Sequence, residues 1–472
     1  MEDKALLAVA VAVLVVVLAK LKSLLAAKPK LNLPPGPWTL PLIGSLHHLV
    51  TSPSIYRAMR DLARRHGPLM MLRLGEVPTL VVSSPEAARA VMKMHDITFA
   101  DRCLNATIAV LTYDGTDLSF QRIREEEAAR FMQTLAAAAG AGATVDLTKM
   151  ISRLINDTFV RESIGSRCKY QDEYLDAFDT AVRQTSVLTV ADLFPSSRLM
   201  QVLGTAPRKA LACRNKITRI LEQIIREKME AMDRGDKTAH EGLIGVLLRI
   251  QKEATLSTPL TNDAIVALMF RYLVDDSELV RDGADPVPAA MARAQAEVRE
   301  AFKGKSTIAE DDLAGAELGY LKLVIKEALR LHCPLPPLLP RQCRETCQVM
   351  GYDIPKGTSV FVNVWAICRD PKYRDDAEEF RPERFENTNL DYKGTSCEFL
   401  PFGSGRRMCP GANLGLANIE LALASLLYHS DWKLPNGVEP KDVEVWEASG
   451  LIGKKNIGLS LQPVTHIAPV NV

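Results

Sequence analysis

Hydrophobic and polar positions along the chain alternate in three ways. The first is an unbroken apolar run from Ala5 to Ala19, bounded by Lys4 and by Lys20 and Lys22. Such a run is short against the roughly 20 residues a bilayer span needs. Leu21, Leu24 and Leu25 extend it, with the two lysines carrying their amines to the interface. A secretory signal peptide has an apolar stretch of similar length, but LAKLKSLLAAKPK offers no small-x-small cleavage site before a polar start. Lysines at 20, 22, 28 and 30 favour a cytosolic C-terminal side. The expectation is an uncleaved, single-pass anchor over 1–27. Residues 28–40 follow as a basic, proline-rich hinge, in which Leu33-Pro34-Pro35-Gly36-Pro37-Trp38 resists helix and reads as a stiff spacer.

The second pattern is short and strand-like. LMMLRL and TLVV, between Pro68 and Val82, predict two strands joined near Gly75-Glu76. Gly351 to Val364 predicts a hairpin around Pro355-Lys356-Gly357. The third is helical and dominates. Ser84-Pro85-Glu86 carries a serine cap, a proline at the first helical position and an early acid. Apolar residues at 217, 220, 221, 224, 225, 229 and 232 form one helical stripe. Ala136–Ala143 is low in complexity and reads as a helix end or loop. These patterns predict a mainly α protein with small β-sheets, its body running from 41 to 472.

Composition narrows the function. At 472 residues, 47% hydrophobic and 24% charged, the chain can bury a large core, which excludes disorder. Lysine plus arginine is 58 against 57 acids, so no basic excess points to nucleic acid. Nine cysteines, an odd number without a Cys-x-x-Cys pair, argue against a disulfide framework or a zinc ribbon and fit a reducing compartment. Lys303-Gly-Lys-Ser306 imitates a phosphate loop, but Arg299 stands where its first glycine belongs.

One thiol stands out. Phe399-Leu-Pro-Phe402-Gly-Ser-Gly405-Arg-Arg407-Met-Cys409-Pro410-Gly411-Ala412 precedes a helical stripe of Leu414, Ala417, Leu421, Ala424 and Tyr428. Pro410 suits a first helical position, placing the sulfur where orphan amides and the helix dipole favour a thiolate. Glycines 403, 405 and 411 let backbone approach sulfur or a flat ligand. Arg406 and Arg407 supply cations for that ligand's carboxylates. A thiolate among amide donors is what an axial haem ligand requires.

These residues match Phe-x-x-Gly-x-Arg-x-Cys-x-Gly, and on them the chain is identified as a member of the cytochrome P-450 superfamily of haem-thiolate monooxygenases. Glu327-Ala-Leu-Arg330 matches the family's Glu-x-x-Arg, and Phe380-Arg-Pro-Glu-Arg384-Phe385 its Pro-x-Arg-Phe element. The resemblance covers nearly the whole chain. It implies the cytochrome P-450 fold behind one transmembrane helix, with Glu327, Arg330 and Arg384 forming a buried charge network. It implies haem b held by Cys409 as axial iron ligand, with Phe402, Gly405, Gly411, Arg407 and Arg341 around the cofactor and Arg341 at a propionate. It implies NADPH acting only indirectly, through NADPH-cytochrome P-450 reductase, and an endoplasmic reticulum membrane location with the body in the cytosol. In detail the chain is similar to plant microsomal members that oxidise terpenoids, which implies a hydrophobic isoprenoid substrate met by the Asp101–Leu118 loop and the Leu335–Leu339 segment.

Two family elements are missing. No Trp-x-x-x-Arg follows Gly115-Thr-Asp-Leu-Ser: the tryptophans are 38, 365, 432 and 446. The central Ala-Gly-x-Glu/Asp-Thr is replaced by Asp275-Asp276-Ser277-Glu278-Leu279, which leaves Glu278 as the candidate catalytic acid and Leu279 where threonine belongs. Asp285-Pro286-Val287-Pro288 then breaks the helix. Two alternatives therefore stand beside monooxygenation: a haem-thiolate isomerase or dehydratase of an oxygenated substrate, and an inactive truncated member.

Overall fold

Runs of buried residues set the first sheet. In the computed structural model, which describes residues 31–102 apart from 51 and 53, 121–165, scattered positions between 170 and 197, 205–236, 242–253, 262, 288–409, 411–435, 438 and 459–469, β1 (Leu69–Leu74) and β2 (Val77–Val82) pair antiparallel as their sequence predicts. They belong to a five-stranded sheet of order β1-β2-β8-β5-β3, where β3 is Asp101–Arg102, β5 Arg341–Gln342 and β8 Ser359–Val362.

The hairpin expected around Pro355-Lys356-Gly357 does not form. β6 (Cys347–Val349) turns at Met350-Gly351 and pairs with β7 (Tyr352–Ile354), whereas β8 leaves for the larger sheet. The reason lies in Ser-Val-Phe-Val: all four β8 residues are buried, so the strand needs partners on both edges. It finds β2, in parallel, and β5. A third sheet, β4-β10-β9, joins Val145–Asp146, Ser460–Thr465 and Ser430–Lys433.

Helices make up most of the described body. α1 is Ile55–His66, and α2, Pro85–Arg89, is capped by Ser84, whose hydroxyl accepts the Ala87 N–H at 3.2 Å. α3 (Gln121–Gly140), α4 (Leu147–Ile164), α5 (Thr205–Asp233) and α6 (Gly242–Glu253) pack a core of their own. In α5 the expected stripe is buried at Ile217, Ile220, Leu221, Ile224 and Ile225. α7 (Pro288–Ala301), α8 (Glu310–Gly315) and α9 (Gly319–Leu331) join the five-stranded sheet around the larger core.

α10 (Ala412–His429) unites the two cores. Ile419, Leu421, Ala424 and Tyr428 face the larger one, Ala422 and Leu426 the smaller. A helix apolar on nearly every side belongs in the interior. Buried charge ties the smaller core to the rest. Arg124 of α3 pairs with Glu162 of α4 at 3.2 Å and donates to Glu310 of α8 at 2.8 Å. Removing one partner would strand a buried charge, so this network constrains how the helices dock.

The segment 31–40 lies against the body. Asn32 N–H donates to Asp353 Oδ2 at 2.9 Å, Asp353 N–H returns a bond to Asn32 O at 2.7 Å, and Met71 N–H donates to Pro35 O at 2.9 Å. A Cβ at Gly36 would stand 2.0 Å from Met71 O, so only glycine permits this approach. Among the described residues no helix is long and apolar enough to cross a membrane; the anchor expected over 1–27 lies outside them.

Candidate functional site

The cysteine loop is closed by its own backbone. Cys409 N–H donates to Phe402 O at 2.9 Å and Met408 N–H to Gly405 O at 3.0 Å, the latter across a 3-10 turn at Gly405–Arg407. Gly403 and Gly405 hold φ of +75° and +71°, the left-handed region that favours glycine. Phe402 is buried beneath the loop and meets Tyr392 edge-on at 6.1 Å.

The helix after the loop begins later than the sequence suggests. Gly411 is the N-cap and Ala412 the first helical residue, so the cysteine precedes the cap by two positions. Pro410 lies outside the described residues. Gly411 has an ordinary φ of −87°, and its carbonyl accepts the first helical bond, from Gly415 at 2.8 Å.

Among the described thiols Cys409 is half-buried, as are Cys213 and Cys347, while Cys333, Cys343, Cys368 and Cys397 are buried. Burial pushes the thiols of Cys368 and Cys397 up, and burial with neighbouring Cys347 carries Cys343 up to about 12. Those sulfurs are held as neutral thiols; Cys409 sits half-buried at the edge of the larger core.

Cations gather beside the loop. Arg341, at β5, is 3% exposed; its Nη2 donates to Ser404 O at 2.8 Å, and its Nη1 is buried without a hydrogen bond. Burial, with the Arg407 charge added, holds this guanidinium below its ordinary value against the pull of Asp96. Arg407 Nε donates to Ala100 O at 2.6 Å. Leu338, in the left-handed region at φ 49°, brings its Cδ1 to 3.7 Å from where a Gly403 Cβ would stand. The Leu335–Leu339 segment thus abuts the loop.

The charge network also assembles. Arg330 Nε and Nη2 donate to the two oxygens of Glu327 at 2.7 and 2.9 Å, and Arg384 Nε donates to Glu327 Oε1 at 2.9 Å. Glu327 and Arg330 are fully buried. Arg330 further donates to Cys368 O at 3.0 Å and Ala377 O at 2.7 Å, and Arg384 to Asp375 O at 2.9 Å. Every buried donor of the trio thereby finds a carboxylate or carbonyl.

Sequence patterns missed Asp96. Its carboxylate accepts the Arg406 N–H and lies 3.6 Å from Arg341 Nη1. No motif or stripe contains it, because its partners lie far away along the chain, Arg406 310 positions on. Glu278, and the 103–118 part of the expected substrate loop, lie outside the described residues.

Residues 34–120, 105–275 and 287–461 match the cytochrome P-450 family. The chain belongs to the cytochrome P-450 family. It is 66% identical over 510 residues, covering all of both chains, to the dolabradiene monooxygenase and to the zealexin A1 synthase of Zea mays. It is 52% identical to the ent-isokaurene C2/C3-hydroxylase of Oryza sativa subsp. japonica over 515 residues, 99% of each chain. Two features of these matches bear on the missing elements. The alignment spans 510 positions against 472 residues, so the maize relatives carry segments this chain lacks. The family match overlaps itself at 105–120 and breaks between 275 and 287, where the Trp-x-x-x-Arg helix and the Ala-Gly-x-Glu-Thr pattern are expected.

Cytochromes P-450 are haem monooxygenases that carry haem b, take electrons from a redox partner and act on hydrophobic substrates. The residues present fit that cofactor. Arg341 offers a buried, unpartnered N–H beside the cysteine loop. Beside the loop the guanidiniums of Arg341 and Arg406 share the Asp96 carboxylate, and the Arg407 charge acts on Arg341. A ligand bearing carboxylates, as haem b does, would add counter-charge to this cluster.

Proposed function

We propose that this chain is a membrane-anchored, haem-dependent oxygenase of a terpenoid, and that Cys409 supplies the axial thiolate. The half-buried sulfur in a glycine-turned loop, beside the unsatisfied buried Nη1 of Arg341, carries the reading. Arg341 and Arg407 would hold the cofactor's carboxylates, while Phe402, Gly405 and Gly411 shape the loop against its face. Glu327, Arg330 and Arg384 keep the segment before the loop in register. When bound, the haem supplies the iron at which dioxygen is activated. Leu335–Leu339 lends an apolar wall next to Gly403, and Glu278 is the candidate proton donor.

The names of the maize and rice relatives support a hydrocarbon-like diterpene or sesquiterpene substrate. For the rest of the chain we assign 1–27 to a single-pass anchor in the endoplasmic reticulum membrane, 28–40 to the hinge and 41–472 to the cytosolic catalytic body. NADPH-cytochrome P-450 reductase is the electron donor. The deciding measurement is the ferrous carbon monoxide spectrum of the purified protein, where a thiolate-type Soret band is expected. Its absence, with haem present in equal amount, would overturn the assignment of Cys409.

The break in the family match between 275 and 287 favours one alternative. A chain without the acid–threonine pair suits rearrangement of a substrate that is already oxygenated. Turnover of a lipid hydroperoxide without NADPH or reductase would establish that reading instead.

A further inference from the structure

Asp96 follows a π-helical turn at Ala90–Met94 and lies against the cysteine loop. Its two carboxylate oxygens stand 3.2 and 3.1 Å from the amide nitrogen of Arg406. That amide belongs to the turn Gly405–Arg407, whose N-cap position is Ser404. A serine there ordinarily caps the turn itself. Ser404 does not: its hydroxyl donates to Gly394 O at 2.7 Å, and its side chain makes no cap bond. The orphan amide is satisfied instead by a carboxylate from a segment 310 positions earlier.

The same carboxylate acts on charge. Oδ1 lies 3.6 Å from Arg341 Nη1 and Oδ2 3.7 Å from Arg406 Nε. Both distances are ion-pair contacts beyond hydrogen-bond reach. Arg341 thus gains a counter-charge while its Nη1 proton stays available. Glycine makes the contact possible: a Cβ at Gly405 would stand 2.4 Å from Met92 O and 2.7 Å from Asp96 Oδ1.

We propose that Asp96 is a positioning residue of the cysteine loop, capping the 405–407 turn from outside and fixing the loop, with its local charge, relative to Arg341. It acts through Arg406 and Arg341 and needs no contact with substrate. In its effect on the iron the proposal rests on the reading of Cys409 as ligand.

The test uses the full chain and two variants. Asp96→Asn keeps an acceptor for the Arg406 amide and removes the charge; Asp96→Ala removes both. In Asp96→Ala, hydrogen exchange of the Arg406 amide should speed up about fivefold, the factor typical of a lost cap, and the thiolate-type carbon monoxide band should weaken. In Asp96→Asn, exchange should stay near the parent rate while the haem reduction potential moves positive, since a negative charge near the iron is gone. Unchanged Arg406 exchange in Asp96→Ala overturns the capping role, and an unchanged potential in Asp96→Asn overturns the electrostatic one. Should Asp96→Ala fail to fold, Asp96→Asn still decides by its potential. Cys409→Ser separates the two readings: if it keeps the thiolate-type band, the ligand assignment has failed, while the exchange of Arg406 still judges Asp96.

Discussion

Glu327 Oε1 accepts the Arg384 Nε–H at 2.9 Å and the Arg381 amide at 2.7 Å, so one carboxylate oxygen pins α9 to the 3-10 turn Pro382–Phe385. The other oxygen is occupied by Arg330 at 2.7 Å. Glu327→Gln would leave two guanidiniums, one fully buried, without their counter-charge. The expected cost is about 3–5 kcal/mol, read as a lower urea midpoint with unchanged slope.

Arg341 should show different effects with and without cofactor. Arg341→Met removes a buried cation whose Nη1 lacks a hydrogen bond, and with it the Nη2 bond to Ser404 O and the pairing with Asp96, so the cofactor-free protein should lose stability on the order of 1 kcal/mol. With haem loaded, loss of a charge-assisted bond to a carboxylate should speed haem transfer to an apoprotein acceptor on the order of tenfold. Equal effects in both states would refute the assignment of this residue to the cofactor.

Gly405→Ala forces a Cβ to 2.4 Å from the Met92 carbonyl and a side chain into φ +71°. Strain of this kind costs about 1–3 kcal/mol. Thermal unfolding should fall, and the cofactor-to-protein absorbance ratio with it. Gly315→Ala serves as a control, because nothing lies within 4 Å of its added Cβ and its φ is not in the left-handed region.

His429 couples stability to pH. Burial holds its imidazole below the ordinary 6.5, although the bond at 2.9 Å between Nδ1 and Ile467 O opposes the shift. The folded protein resists protonation that the unfolded chain accepts, so the contribution is complete above about 6.5 and is lost as pH falls. Unfolding free energy measured from pH 7.5 to 5.5 should decline, and His429→Gln should flatten that decline.

Local pattern carried much of this molecule. The strands at 69–82, the capped helix after Ser84, the stripe of α5 and the cysteine loop all depend on residues near one another in the chain. Glu327 and Arg330 were readable for the same reason, being one helical turn apart. The hairpin at 351–364 misled because turn residues do not specify which neighbour a strand chooses; burial of Ser359–Val362 on both faces decides that. The helix start slipped by two residues because Gly411 takes the cap. Asp96 was invisible, since its role exists only once distant segments meet.

Arg406 and Asp96 are separated by 310 positions, and closing so long a span is slow compared with winding local helices. Helices near the C-terminus can therefore form well before the turn ahead of Cys409 gains its distant acceptor. Cofactor uptake would then act as a checkpoint, reporting that the early and late parts of the chain have docked.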